Sequence, residues 1–323
     1  MNQLTSRYGA LRRSLLAVLT MVTFSGLLAQ FPGEAGAAGS PGNLRDIDVE
    51  HFSGAGGNAV VARDGSGRTW VNMLKCSDGN PCINLGWTNL GGNLKSTSVE
   101  LISGGVVVFG LASSGKTWFR RGSCGDFVCS WSGWISLGGN LRTVEGRGSD
   151  NCAHIVGLTY GDNIYESNIC GSSQTGWSKS TGRLKEVTVY GGGDIFGTSS
   201  SGELWFRSSG TWRNSRGNVV QPVRDGDHHY TACGLSPSQK ELWCLNGIGG
   251  SWEKLPGPWR RLDDDQAVGI GPNWTFKRLL NSLVIYDAGG SLNQVAMDLN
   301  LHVGISGGLK PWFSTLSEGW KPL

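Results

Sequence analysis

Few residues in this chain are grouped in a way that supports chemistry. Of its five histidines only His228 and His229 are adjacent. With Asp225 and Asp227 they could hold a metal ion, and Asp263-Asp264-Asp265 could bind calcium through carboxylate oxygens. Both groups read instead as exposed polar turns, so no metal site is assigned. Arg120, Arg121, Arg147, Arg207 and Arg224 could together hold a carboxylate if they converged, but read one by one they are surface charge. There is no G-x-S-x-G elbow, no H-E-x-x-H pair and no Walker A loop. No catalytic residue is assigned, and no cofactor is expected. Asn273-Trp-Thr275 is a glycosylation sequon that matters only in a eukaryotic secretory host.

The eight cysteines are the other reactive set. An even count permits complete pairing in an oxidising compartment. Cys76/Cys82 and Cys124/Cys129 are close pairs at the same place in successive repeats, while Cys152/Cys170 and Cys233/Cys244 lie symmetrically about turns at Gly161 and at 236–239. Each of the latter two pairs can therefore face across one hairpin. Zinc is the alternative, and it usually requires grouped thiolates with a C-x-x-C spacing, which does not occur here. The spacing predicts four local disulfides: Cys76 with Cys82, Cys124 with Cys129, Cys152 with Cys170 and Cys233 with Cys244.

The elements that carry these residues are repeated. Trp87-Thr-Asn-Leu90-Gly-Gly-Asn-Leu94 returns as Trp134-Ile-Ser-Leu137-Gly-Gly-Asn-Leu141, weakly from Trp177, and as Trp-x-x-Leu at Trp252 and Trp320. Between these marks an aromatic follows a Gly, Ser or Asn turn: Trp70, Trp118, Tyr165, Trp205, Trp243, Tyr286 and Trp312. Alternating apolar runs precede each turn, which gives four short strands per unit. Such a unit buries its faces only by packing on copies of itself around a ring, so the fold class is all-β, a seven-bladed β-propeller with four short antiparallel strands per blade. First strands near Ile47, Ser98, Val144, Val187, Pro222, Ala267 and Gln294 favour seven blades. The region 262–323 has one Trp-x-x-Leu close and two third-strand aromatics, so six remains the alternative.

Composition agrees, with 52 Gly and 14 Trp in 323 residues and no collagen-like period. Residues 1–38 carry Arg7, Arg12 and Arg13, an apolar stretch from Leu15 to Leu28, and Ala35-Gly-Ala37. This is the layout of a secretory signal peptide. The stretch is shorter than the ~20 residues a spanning helix needs, an uncleaved anchor being the alternative. The rest, 39–323, is expected to be one propeller domain outside the cytoplasm with no membrane span. A net charge of +3, evenly spread, gives no footprint for nucleic acid.

The units, with a second strand such as Val106-Val-Val-Phe-Gly110, a Gly-x-x-Trp third strand and a Trp-x-x-Leu-Gly-Gly fourth, resemble those of the PLL-like bacterial propeller lectins. They are more loosely similar to tectonin repeats. The resemblance covers about 44–323 and implies glycan sites between or on the blades, with glycans or glycoconjugates as partners. The third unit, Val156-Gly-Leu-Thr-Tyr-Gly161-Asp-Asn-Ile-Tyr165-Glu166, also resembles a fucose-lectin blade, in which a second-strand Arg and a third-strand Glu hold one sugar. Glu166 matches, whereas the second strand of that unit has no Arg. The turn Arg63-Asp64-Gly65-Ser66-Gly67-Arg68-Thr69-Trp70 resembles a sialidase Asp-box with its Asp one place early.

An aromatic face suits the C–H face of a pyranose. A Trp that recurs at one place in every unit is expected to pack between units, so the ligand-binding candidates are those outside both marks: Trp131, Trp259 and Trp274. The function expected is a secreted, lectin-like propeller with several weak glycan sites. The alternatives are an extracellular sialidase-like glycan hydrolase and a protein-interaction scaffold without a small ligand.

Overall fold

The computed structural model describes residues 41–323 except 53–56, 77–81, 150, 191–192, 224–230, 239–240, 248, 256–258, 260, 264–267, 271–275, 281–283, 290–291, 299–300, 309 and 316–317. The N-terminal segment read as a signal peptide lies outside the described residues. Among them there is no α-helix, and none long and apolar enough to cross a membrane.

The described strands form seven antiparallel sheets of consecutive strands. The first is β1 (Leu44–Phe52), β2 (Gly57–Asp64), β3 (Thr69–Lys75) and β4 (Ile83–Gly91). The second is β5 (Leu94–Ile102), β6 (Gly105–Ala112) and β7 (Thr117–Gly125), with β8 (Val128–Trp131) and β9 (Ile135–Gly138) both on β7. The third is β10 (Leu141–Gly148), β11 (Cys152–Thr159) and β12 (Asn163–Cys170), with β13 (Ser173–Gln174) and β14 (Ser178–Arg183) both on β12. The fourth is β15 (Glu186–Tyr190), β16 (Asp194–Thr198), β17 (Glu203–Ser208) and β18 (Thr211–Asn218). The fifth runs from β19 (Val220–Val223) through β20 (Ala232–Leu235) and β21 (Leu242–Leu245) to β22 (Trp252–Leu255). The sixth is β23 (Arg261–Asp263), β24 (Val268–Ile270), β25 (Phe276–Leu280) and β26 (Val284–Gly289). The seventh is β27 (Leu292–Asp298), β28 (Leu301–Ser306), β29 (Pro311–Thr315) and β30 (Glu318–Pro322).

In the sixth sheet the sequence marks slip by one strand. The first strand is Arg261–Asp263, not the run near Ala267, and Tyr286 lies in the fourth strand, not the third. The glycine-turn and Trp punctuation that sets the register elsewhere is missing there, so an aromatic alone does not identify its strand.

The repeat is explained by three contacts. The N–H groups of Leu94, Leu141, Leu184 and Val219 donate to the carbonyls of Gly67, Gly115, Asp162 and Gly202 at 2.9–3.0 Å, tying each sheet's turn to the start of the next sheet. The side chains of those four residues then fill the space over Gly110, Gly157, Gly197 and Gly234, where a Cβ would stand 2.4–2.7 Å from them. Finally, Trp134, Trp177, Trp212 and Trp252 lie on Gly92, Gly139, Gly182 and Gly217 of the preceding sheet. Three of these indoles donate Nε1–H across the same junction, to Leu90 O (2.8 Å), Thr181 O (3.1 Å) and Ser215 O (2.9 Å).

First strands are also joined by side chains. Asp46 accepts from Thr97 N (2.9 Å), Asp48 from Ser98 Oγ and Val99 N, Glu100 from Gly148 N (2.6 Å), and Glu186 from Gln221 N (2.7 Å). Each first strand packs on the first strand of the next sheet, and β27 packs on β1. One apolar cluster accordingly joins Leu44, Ile47, Trp70 and Trp87 to Leu301, Val303 and Phe313.

The four disulfides pair as the spacing predicts: Cys76–Cys82, Cys124–Cys129, Cys152–Cys170 and Cys233–Cys244. The last three join direct cross-strand partners.

The turn from Arg63 to Trp70 is built around the carboxylate of Asp64. Asp64 Oδ1 accepts from Ser66 N (2.8 Å), Ser66 Oγ (2.6 Å) and Arg68 N (3.1 Å), and Oδ2 accepts from Trp70 Nε1 (3.1 Å). Burial raises the carboxyl, but these hydrogen bonds outweigh it and hold it at about 2, against an ordinary value of 3.8. A depressed carboxyl stabilises the fold above its unfolded pKa and loses that stability as pH falls through the folded value. We therefore expect acid titration between about pH 4 and pH 2 to remove about 2 kcal/mol that Asp64→Asn lacks. Urea denaturation of both proteins across that window measures it, and parallel losses would refute the assignment.

Candidate functional site

The junction of the third and fourth sheets departs from the repeat. In the third strand, the residue after the marked aromatic is buried and apolar in other sheets, as Val71, Phe119, Phe206 and Cys244. In the third sheet it is Glu166, 18% exposed. Arg207 of β17 reaches it with both terminal nitrogens, Nη1 to Oε1 and Nη2 to Oε2, and also meets Ser180 Oγ of β14. His154 of β11 approaches from the same sheet, with Nε2 3.0 Å from Glu166 Oε2. Burial raises the Glu166 carboxyl, but hydrogen bonds from His154, Arg207 and Ser180 and the guanidinium charge outweigh it, holding it far below the usual carboxylate range. Glu166 is therefore ionised and committed to its neighbours.

Two hollows flank this pair. On one side, a cleft of about 330 Å³ is lined by Gly182, Arg183, Leu184, Ser199, Glu203, Trp205 and Trp212. Its walls are mostly apolar, both indoles are half-buried, and Arg183 and Glu203 are exposed at its edge. Arg207 lies over the Trp212 ring at 5.7 Å. On the other side, a polar cavity of about 400 Å³ is lined by Arg147, Gly148, Ser149, His154, Glu166, Asn168, Tyr190 and Gly193.

The junction of the first and second sheets shows why this one is open. There Arg120 lies over Trp134 at 5.8 Å, the counterpart of Arg207 over Trp212, but its Nη1 donates to the carbonyl of Leu90. The positions of His154, Glu166 and Asn168 are held by Ala59, Val71 and Met73, which join one apolar cluster with Phe127, Trp131 and Trp134. Phe127 projects from the β7–β8 hairpin, closed by Cys124–Cys129, onto Gly57, where a Cβ would stand 1.8 Å from its ring. Asp126 and Phe127 both have positive φ, 48° and 65°, so the disulfide and the buried ring hold a backbone shape that L-residues avoid. The fourth sheet has only the tight Ser209-Gly210 turn between β17 and β18 and sends no plug across.

The sequence-derived ligand candidates fall elsewhere. Trp259 is 2% exposed in an apolar cluster with Val223, Leu255 and Leu262, so its ring is core and offers no open face. Trp131 is half-buried and covers Gly122. Trp274 lies outside the described residues, as do Arg224, Asp225, Asp227, His228, His229, Asp264, Asp265 and Asn273. Among the described residues no group of three or more His, Cys, Asp or Glu could hold a metal. The four described arginines are engaged with other groups of the protein and are not simply surface charge. Arg120 and Arg207 tie neighbouring sheets, Arg121 Nη2 donates to Ser173 O (2.6 Å), and Arg147 pairs with Glu50 at 3.2 Å. The signal that finds this site in the sequence is a single charged residue, Glu166, at a position the repeat keeps apolar.

No protein-family model matches the sequence, and neither does any protein of curated function. Solved structures do. The BP39L lectin of Burkholderia pseudomallei is similar with a TM-score of 0.59 at 11% identity, over 87% of this chain and 99% of that one. An uncharacterized protein of Listeria monocytogenes EGD-e is similar with a TM-score of 0.52 at 12% identity, over 89% and 96%. BBS1N, solved in complex with ARL6DN, is similar with a TM-score of 0.54 at 12% identity, over 84% and 91%. At these identities the likeness establishes the fold, an all-β, propeller-like arrangement of small antiparallel sheets.

Proposed function

We propose that residues 39–323 form one secreted seven-bladed propeller that binds glycans, with its principal site at the junction of the third and fourth sheets. The packing of β27 on β1 supports a closed ring, and four disulfides support an oxidising, extracellular setting. Similarity to the BP39L lectin supports the reading. The observation that carries it is the Trp205/Trp212 cleft: two half-buried indoles offer an apolar surface to a pyranose, and Ser199, Glu203 and Arg183 line the same cleft with groups that can hydrogen-bond its hydroxyls. Trp131 and Trp274 are secondary candidates. The plug at the first junction makes the sites unequal, so avidity comes from a few junctions and not from every blade.

A glycan array followed by calorimetry tests this. Arg183→Ala and Glu203→Ala alter exposed residues and are expected to fold normally while weakening binding about tenfold each, the loss of one charged hydrogen bond. Binding unchanged in both, or no glycan bound by the parent protein, would overturn the proposal. Turnover of fluorogenic glycosides would replace it with a hydrolase.

A further inference from the structure

The Trp205/Trp212 cleft does not end at Gly182 and Arg183. Both residues also line a second, shallower hollow of about 530 Å³, walled otherwise by Asn163, Lys179, Ser180 and Thr181. Strand pairing creates it. Tyr165 stands opposite Lys179 and Asn163 opposite Arg183, so a two-residue step on β12 faces a four-residue step on β14. The surplus residues of β14 form a bulge, which bends a strand and re-aims the side chains beside it. Gly182, with φ at +91°, belongs to that bulge and puts no side chain between the two hollows. Lys179 and Arg183 flank the bulge, and both are exposed and accessible to a ligand.

Charge is divided along this groove. In the Trp cleft Glu203 accompanies Arg183, whereas among the described residues no carboxylate lines the second hollow. Neither Lys179 nor Arg183 has an ion-pair partner among the described residues. Asp162, next to Asn163 in the chain, is shared by Arg142 at 3.3 Å and Lys185 at 3.0 Å, and Glu166 is held by Arg207. These carboxylates are committed to other cations. The ammonium and guanidinium at the hollow can therefore take an anionic group through charge-assisted hydrogen bonds without first breaking an internal ion pair.

We infer that cleft and hollow form one groove for an acidic oligosaccharide: one sugar packs in the Trp cleft, and the carboxylate or sulfate of its neighbour is taken by Lys179 and Arg183. The inference rests on the glycan reading above and names the class of glycan. Calorimetry tests it with glucuronate-bearing, sialylated and sulfated oligosaccharides, each beside its carboxyl-reduced or desulfated counterpart, so that the arms separate carboxylate from sulfate. At low salt the acidic member of at least one pair should bind at least about tenfold more tightly than its counterpart, a preference that shrinks as salt screens the charges. Lys179→Met, at an exposed residue that does not line the Trp cleft, should abolish the preference by weakening the acidic member alone. The acidic ligand should also shift the indole N–H resonances of Trp205 and Trp212 in 15N NMR. Equal or weaker binding of every acidic member, or a preference that survives Lys179→Met, would overturn the inference, while binding of the neutral members would keep the Trp cleft reading standing. Indole resonances unmoved by a bound acidic ligand would overturn the single groove. Failure of every oligosaccharide to bind the parent protein would overturn both readings.

Discussion

Glu166→Ala is expected to lower the stability of the fold by about 3–5 kcal/mol, because it leaves the Arg207 guanidinium buried without its carboxylate. Arg207 is 12% exposed and Glu166 18%, so solvent cannot replace the lost partner cheaply. The junction of the first and second sheets indicates the rescue. There Val71 stands at the position of Glu166, and the carbonyls of Ser132 and Leu90 accept from the Arg120 guanidinium. Removing both charges together, as Glu166→Val with Arg207→Leu, should therefore recover most of the loss, since a buried pair is costly to break and inexpensive to replace with apolar side chains. Denaturant midpoints of the two singles and the double form the required cycle. A loss below about 1 kcal/mol for Glu166→Ala would mean that the pair behaves as a solvent-screened surface bridge.

Gly110→Ala should cost about 3 kcal/mol, at the upper end of overpacking effects. Its Cβ would stand 2.2 Å from the carbonyl oxygen of Ser96 and 2.7 Å from Leu94 Cδ1, and the backbone clash cannot be relieved by a rotamer change. Gly157→Ala makes a useful contrast. There the close contacts are side-chain atoms of Leu141, at 2.4 Å and 3.2 Å, so the damage should couple strongly to Leu141→Ala, whereas Gly110→Ala should stay damaging beside Leu94→Ala. Gly171→Ala, with nothing within 4 Å, serves as the neutral control. Thermal midpoints of the set decide the matter, and an unaffected Gly110→Ala would refute the packing account.

Features governed by neighbours close in the chain were legible in advance. The disulfides join residues 5, 6, 11 and 18 apart across single hairpins, so their pairing follows from turn position. Trp134, Trp177, Trp212 and Trp252 were legible as packing residues for the same reason, since each meets a glycine placed by the same repeat. The sixth sheet was misread where those marks thin out, and the ligand candidates were sought among tryptophans outside the repeat. That search passed over the recurring Trp205 and Trp212, which line the cleft at the junction of the third and fourth sheets, and it included Trp259, which neighbouring strands bury.

Outside the sixth sheet, the sequence by itself therefore determined the strands, their hairpins, the disulfides and the stacking of similar units, because each depends on alternation, turn glycines and contacts within one repeat. Only the tertiary structure decided which junction is open. Glu166 and Arg207 lie 41 residues apart and meet only because two sheets face each other. Phe127 fills one junction while a tight turn leaves another empty, since reach across a junction depends on the length of a hairpin and on the absence of a side chain at a distant glycine.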